Sequence, residues 1–133
     1  MTRSARSVSG IPQRIEKRMA SFKQGDVIKV PFPYTDRATR QFWPALVVSR
    51  GGIEDAHGLL WVVMITSAEN RRWVGDVEVN NLAAAGLPAP SMIRTAKIAT
   101  IEAADATRLG KVSPPLLRQV MSRIVQELGH TAS

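Results

Sequence analysis

The stretch LLWVVMIT, residues 59–66, decides the fold. It is apolar up to its final threonine and contains neither glycine nor proline. A strand with one face in water alternates apolar and polar residues, whereas a strand covered on both faces is apolar throughout. We therefore predict a strand over residues 59–66 that other elements cover on both faces. Because strands are also predicted before and after it along the chain, we call it the central strand.

Two strands are predicted before the central one. In GDVIKVPFP, residues 25–33, a β-branched run ends at two prolines. Because proline cannot donate to a sheet ladder, this strand should end at an edge or a bulge. QFWPALVVSR, residues 41–50, predicts a second strand from about residue 45 to 49, with two aromatic residues at its entrance. RGGIEDAHG, residues 50–58, then predicts a turn-rich connection to the central strand.

Polar and β-rich segments alternate after the central strand. SAENRRW, residues 67–73, predicts a polar loop, and GDVEVN, residues 75–80, has the alternation of a half-buried strand. LAAAGLPAPS, residues 82–91, breaks that pattern with one glycine and two prolines. MIRTAKIATI, residues 92–101, resumes it, so we predict a further strand there.

GKVSPPLLRQVMSRIVQELG, residues 110–129, predicts a C-terminal amphipathic helix. Ser113 is a favourable N-cap, two prolines fit the first turn, and Gly129 ends the pattern. Apolar residues recur every four positions at Leu116, Val120, Ile124 and Leu128. Five or six short strands closed by one helix predict a mainly β fold with a C-terminal helix, in which the helix packs across a twisted sheet or a partly open barrel.

The positive charge is concentrated near the N-terminus. The formal net charge is +7, and residues 1–24 hold six of the 18 cations but one of the 11 anions. A leading segment rich in serine and arginine is typical of a flexible solubilising arm, with phosphate binding as the alternative. We predict a basic arm over residues 1–22, one domain over residues 23–129 and a tail over residues 130–133.

Several chemistries lack the residues that they need. The chain has no cysteine, and His57 and His130 do not have the spacing of a metal site. Neither a phosphate-binding glycine loop nor a G-x-S-x-G hydrolase elbow is present. We therefore expect no metal and no cofactor. Without an apolar run of roughly 20 residues or a signal-peptide core, we also expect a cytoplasmic protein with no membrane partner.

Two hydroxyl side chains end the central strand beside a basic loop. Thr66 and Ser67 directly precede the loop that carries Arg71 and Arg72. A hydroxyl can donate to a phosphate oxygen, and a guanidinium offers a bidentate fork, so this group suits a phosphate. The alternative is a pair of turn-capping residues beside a solvated basic loop.

Five segments follow one another along the chain in a recognisable order, namely GDVIKVPFPYTD, PALVVS, VVMITS, SMIRTAKIATI and LGKVS. The resemblance that they carry is to the MazF/PemK family of toxins from type II toxin–antitoxin systems. It spans about residues 23–128 and implies an SH3-like barrel, as in MazF, PemK and CcdB, with a C-terminal helix. It also implies a homodimer, a cognate antitoxin, and a metal-independent endoribonuclease (mRNA interferase). Such an enzyme cleaves single-stranded RNA by attack of the 2′-hydroxyl on the adjacent phosphate, which leaves a 2′,3′-cyclic phosphate.

One position departs from the family pattern, in which an arginine directly precedes the proline of the second strand and a threonine ends the third. Thr66 keeps the threonine, but Trp43 stands in place of the arginine. An indole can donate a hydrogen bond but carries no charge. The resemblance implies Thr66 as a catalytic residue, and we predict that Arg40, in the loop before Trp43, supplies the missing charge. The predicted RNA-binding residues are Trp43, Ser67, Arg71 and Arg72.

Two other functions fit the same sequence. Without the arginine, the protein could be a catalytically impaired family member that binds RNA and antitoxin. The same fold could also act on a protein target such as a topoisomerase. For Trp43, stacking on an unpaired base and packing in the barrel or in a dimer interface are both compatible with the sequence.

Overall fold

The computed structural model describes residues 21–31 and 42–129. The strands are β1 (Asp26–Pro31), β2 (Phe42–Val47), β3 (Leu59–Ser67), β4 (Asp76–Glu78), β5 (Ser91–Glu102) and β6 (Thr107–Lys111). The helices are α1 (Gly51–His57), α2 (Leu82–Ala85) and α3 (Pro114–Glu127), with a 3₁₀ turn at Ala103–Asp105. No helix among the described residues is long and apolar enough to cross a membrane. Most of the predicted arm, and the tail, lie outside these residues, so the division into arm, domain and tail stays a prediction.

The strands form one sheet in the order β4-β5-β3-β2-β1-β6. Every pairing among the described strands is antiparallel. β3 lies in the interior of the sheet, between β2 and β5. β4 and β6 are the two edges of the sheet that the described strands form, so this sheet is open. The predicted mainly β fold with a C-terminal helix is confirmed.

Apolar side chains cover both faces of the sheet. The first core cluster, which joins the sheet to α3, includes Val27, Leu46, Val63, Ile65, Ile93, Leu116 and Val120. The second core cluster lies on the opposite face and includes Ile28, Val30, Ala45, Val47, Leu60, Val62 and Met64. Because successive strand residues point to opposite faces, β3 contributes to both clusters. This arrangement explains why its sequence shows no polar alternation.

α3 begins and packs as its sequence predicts. The Ser113 hydroxyl accepts a hydrogen bond from the backbone N–H of Leu116 at 3.4 Å, which caps the helix. Leu116 and Val120 are buried, and Ile124 packs against the first core cluster. Leu128 is 73% exposed, although it continues the same apolar spacing. The last turn of α3 therefore carries apolar surface beyond the core.

The connection between β2 and β3 contains α1, which corrects the turn-rich loop predicted for residues 50–58. The Glu54 carboxylate accepts hydrogen bonds from the backbone N–H groups of Ser21 and Phe22 at 2.9 and 3.1 Å. Gly58 follows the helix in the left-handed conformation, with φ 70°. These tertiary and capping contacts stabilise a helix whose two leading glycines disfavour it locally.

Candidate active site

Thr66 and Trp43 lie side by side on neighbouring strands. The register of β2 and β3 pairs Ala45 with Met64. Two positions beyond this pair, β2 carries Trp43 and β3 carries Thr66, so by the alternation of strand residues both project to the face of Ala45 and Met64. Both residues line a cavity of about 290 Å³ at the end of the sheet, together with Ser67 and the loop that precedes β5. The structure thus brings together three of the residues that the sequence assigns to the site.

Both hydroxyl groups take part in the turn that follows β3. The side-chain amide of Asn70 donates a hydrogen bond to Thr66 Oγ1. Ser67 Oγ accepts from the backbone N–H of Glu69 at 3.1 Å, as the turn-capping alternative predicts. Because a hydroxyl that accepts one hydrogen bond still has its own hydrogen to donate, Thr66 retains a donor for a bound anion. Asn70 thus holds Thr66 Oγ1 in place and leaves the hydroxyl hydrogen of Thr66 available to donate.

Thr66 also belongs to a row of side chains that crosses four strands. It pairs with Met92 on β5, and Met92 pairs with Glu78 on β4. Directly opposite residues of antiparallel strands project to the same face. We call this set the Thr66 row, which in strand order is Trp43, Thr66, Met92 and Glu78. The face that carries the Thr66 row is the candidate site for a polar ligand.

A buried ion pair lies next to the Thr66 row. Arg94 Nη2 is 2.9 Å from Asp76 Oδ2, and the Asp76 side chain has no exposed surface. The Arg94 guanidinium also lies 4.1 Å from the centroid of the Trp73 ring and donates to the carbonyl oxygen of Arg71 at 2.6 Å. The pair therefore ties the loop between β3 and β4 to the sheet.

The pKa of the Asp76 carboxyl lies below its ordinary value of 3.8. Burial alone raises this pKa, because it disfavours the charged form. The hydrogen bonds from Arg94 and from the backbone N–H of Trp73, and the positive charges of Arg94 and Arg72, outweigh burial. Asp76 is accordingly an ionised structural partner of Arg94.

Arg72 reaches the face that carries the Thr66 row. Its Nη2 donates to the carbonyl oxygen of Asp76 at 3.3 Å. Its Nη1 lies 3.9 Å from Met92 Sδ and 3.8 Å from Glu78 Oε2. The Arg72 side chain is 58% exposed, so it is anchored near the sheet and still accessible to a ligand.

The comparisons with known proteins identify the family. Residues 23–128 match the family model described as PemK-like, MazF-like toxin of type II toxin–antitoxin system. The chain belongs to this toxin family. The match covers the range over which the sequence resembles MazF and PemK, so that identification is confirmed. No curated protein sequence matches the chain.

Solved structures of MazF toxins have the same fold. A chain of the MazE–MazF complex from Deinococcus radiodurans is 17% identical, with a TM-score of 0.65 over 83% of this chain and 97% of that one. An endoribonuclease in complex with its cognate antitoxin from a mycobacterial species is 17% identical, with a TM-score of 0.64 over 86% and 100%. The toxin MazF-mt6 from Mycobacterium tuberculosis is 18% identical, with a TM-score of 0.63 over 80% and 98%. These likenesses confirm the predicted MazF-like fold.

Trp43 lies between the core and the cavity beside Thr66. It is half-buried and packs against the second core cluster, and it also lines the cavity beside Thr66. Trp43 therefore packs in the core and also borders the candidate site, and its binding to RNA stays a prediction. Arg40, the predicted source of the missing charge, lies outside the described residues, and its role stays a prediction.

Two residues of the site were missed by the sequence reasoning. Asn70 follows Thr66 by four positions within the polar loop SAENRRW, where an amide that hydrogen-bonds back to a strand end could have been considered. Arg94 interrupts the β-rich segment MIRTAKIATI. A charge within such a strand is itself a signal, because a buried arginine is almost always paired.

Proposed function

We propose that this protein is the toxin of a toxin–antitoxin pair and cleaves single-stranded RNA in the cytoplasm without a metal ion. The observation that carries the proposal is the setting of Thr66. Its hydroxyl stands at the end of β3, is held by Asn70, and lines a cavity with Trp43 and Ser67. Similar folds include a protein named as an endoribonuclease, and the chain's family consists of toxins of such systems.

The reaction is an internal transfer at phosphorus. The 2′-hydroxyl of the RNA loses its proton to a base or to water and attacks the adjacent phosphorus. The 5′-oxygen of the next nucleotide leaves and takes up a proton, so the products are a 2′,3′-cyclic phosphate and a 5′-hydroxyl end. Negative charge grows on the phosphate oxygens, and Thr66 donates a hydrogen bond to one of them. Arg40 is predicted to supply positive charge, Trp43 stacks on an unpaired base, and Ser67, Arg71 and Arg72 bind flanking phosphates.

A digest of single-stranded RNA in the presence of a chelator tests this proposal. We expect cleavage with EDTA present, and products that carry 2′,3′-cyclic phosphate ends in mass spectrometry. A strand with a 2′-deoxy nucleotide at the cut site should resist, because its nucleophile is missing. Cleavage of that strand, or a strict need for magnesium, would contradict the mechanism.

The alternative of an impaired, binding member is favoured by the uncharged indole at position 43. If the wild-type protein is inert and Trp43→Arg cuts RNA, the protein is impaired and its role is binding. If neither the wild-type protein nor Trp43→Arg cleaves RNA, and neither binds RNA, the result would favour a protein target.

We also propose a symmetric homodimer, formed through apolar surface at the end of α3. A cavity of about 560 Å³ is lined by the exposed residues Trp61, Ile98, Val125 and Leu128 and by neighbours on α1 and in the segment between β2 and α1. Exposed apolar surface of this kind marks an interaction site, and a twofold pair lets one patch cover its own copy.

Leu128→Asp is expected to shift the protein from dimer to monomer, because it places a charge in the apolar interface. Sedimentation equilibrium at micromolar concentration measures the change. Gln119→Asp adds the same charge on the exposed side of α3 and should leave the dimer intact. A wild-type protein that sediments as a monomer would refute the proposed dimer.

We further propose that a cognate antitoxin binds this toxin. Two of the similar structures come from toxin–antitoxin complexes, and the net charge of +7 favours a partner with an acidic segment. Co-expression with the product of an adjacent small open reading frame should yield a stable complex without ribonuclease activity.

A further inference from the structure

We propose that Arg72 supplies the positive charge that holds the scissile phosphate against Thr66. This inference rests on the proposed function and changes two of its assignments: Arg72 binds the scissile phosphate instead of a flanking one, and it takes the place predicted for Arg40. In the family pattern the charge comes from β2, at the position where this chain has Trp43. Here it would come from the loop between β3 and β4, so that the cation stands on the opposite side of the threonine.

The Thr66 row places Arg72 within reach of the phosphate. Met92 is the direct neighbour of Thr66, and the guanidinium of Arg72 lies 3.9 Å from the sulfur of Met92. Neighbouring strands are about 4.8 Å apart, so the guanidinium stands roughly one to two strand spacings from Thr66. A phosphate that accepts one hydrogen bond of about 2.8 Å from each side bridges a gap of roughly 8 Å.

Three hydrogen bonds hold the loop that presents Arg72. Asn70 donates to Thr66, the carbonyl of Arg71 accepts from Arg94, and Arg72 itself donates to the carbonyl of Asp76. Consecutive residues are therefore fixed to β3, β5 and β4. A guanidinium held in this way loses less conformational freedom when it binds a phosphate than one on a mobile loop.

Glu78 is the present partner of Arg72, and a phosphate can replace it. The two charged atoms are 3.8 Å apart, and the Glu78 side chain is 70% exposed. Exposed ion pairs of this kind contribute little to stability, whereas a phosphate can take two parallel hydrogen bonds from one guanidinium. Glu78 also repels an approaching phosphate, so it should weaken RNA binding.

Other described cations near Thr66 are less suited to this role. Arg94 is buried and already binds Asp76. Lys29 pairs with Pro44, one position from the pair of Val30 with Trp43, so it projects to the opposite face, where it lies 5.6 Å from the ring of Phe42. The bond of Arg71 to Arg94 is made by its backbone carbonyl, whereas the side chain of Arg72 itself lies against Met92 of the Thr66 row.

Measurements of RNA binding distinguish a phosphate-binding role of Arg72 from a purely structural one. The probe is a fluorescent single-stranded RNA with a 2′-deoxy nucleotide at the cut site, measured by anisotropy at several NaCl concentrations. Arg72→Gln should weaken binding about tenfold and reduce the salt slope by about 0.7, the value for one phosphate contact with a single strand. Glu78→Gln should strengthen binding severalfold, a gain that a folding defect would not produce.

The controls remove the same charges elsewhere. The control variants are Arg118→Gln and Glu102→Gln. Arg118 lies on the exposed surface of α3, and Glu102 lies at the end of β5 that is far from Thr66. Both should bind RNA within about twofold of the wild-type protein, since charges beyond a Debye length of about 8 Å are largely screened at physiological salt. Arg72→Lys keeps the charge but loses the fork, so it should bind RNA with intermediate affinity.

Cleavage rates complete the test. Arg72→Gln should lower the turnover of the unmodified strand by about 100-fold, with an unchanged urea unfolding midpoint. If Arg72→Gln binds and cleaves like the wild-type protein while Arg40→Ala is inactive, the inference is wrong and the proposed function stands. If the wild-type protein binds RNA without cleaving it, the proposed cleavage fails and the binding measurements still decide the role of Arg72. A wild-type protein that neither binds nor cleaves RNA overturns both.

Discussion

Replacing Thr66 with valine is expected to lower RNA cleavage by about 100- to 1,000-fold, the usual cost of removing one hydrogen-bond donor from a developing negative charge. Valine has nearly the shape of threonine and favours strands equally well, so β3 and its pairing with Met92 should be preserved. The variant therefore removes the hydroxyl and little else. Single-turnover cleavage of a short RNA measures the loss in the chemical step.

Two further variants make this result specific. Thr66→Ser retains a hydroxyl for Asn70 to hold and should recover much of the rate. Thr107→Val makes the same change at an exposed position of β6, on the edge of the sheet away from the Thr66 row, and should cleave normally. A Thr66→Val protein with wild-type turnover would remove Thr66 from the mechanism, whatever the other variants do.

Sequence patterns predicted β3 and α3 well because their signals are local and strong. The apolar run of β3 reflects burial on both faces, and Ser113 caps α3 as its position suggests. Leu128 shows the limit of such patterns. Four-residue spacing predicts that it shares a face with Ile124, but how far the core extends along that face depends on the rest of the fold.

α1 and the ion pair could not be read from local sequence. α1 begins with two glycines, and the hydrogen bonds of Glu54 to Ser21 and Phe22 span more than 30 positions. Asp76 and Arg94 are 18 positions apart and meet only through the register of β4 and β5. The sequence predicted Thr66 and the basic loop as site residues, whereas the pairing of β5 with β3 and β4 decides that Arg94 is buried against Asp76.

The ion pair between Arg94 and Asp76 is the other place where one substitution should have a large effect. Asp76→Ala is expected to lower the free energy of unfolding by about 3 to 5 kcal/mol, because it leaves a buried guanidinium without its counter-charge. Urea unfolding followed by circular dichroism measures the loss. Asp55→Ala removes an exposed carboxylate on α1 and should change the free energy by less than about 0.5 kcal/mol.

A double variant distinguishes the effect of the ion pair on stability from its effect on the loop between β3 and β4. Asp76→Leu with Arg94→Met replaces both charges by apolar side chains and should recover much of the stability. RNA cleavage should stay low, because the carbonyl of Arg71 loses the donor that ties its loop to β5. A double variant that is as unstable as Asp76→Ala would show that the unpaired charge is not the cause of the loss.

The same carboxylate should make stability depend on pH in a defined direction. The pKa of Asp76 in the folded protein lies below its ordinary value of 3.8, so the unfolded chain binds this proton more readily than the folded one. The stabilising contribution is therefore complete well above pH 3.8 and is lost as the pH falls through the lower pKa of the folded state. The difference in unfolding free energy between the wild-type protein and Asp76→Asn should be constant from about pH 7 to about pH 5 and should shrink at lower pH. If that difference instead grew on acidification, Asp76 would have to be protonated more readily in the folded protein, and burial would outweigh Arg94.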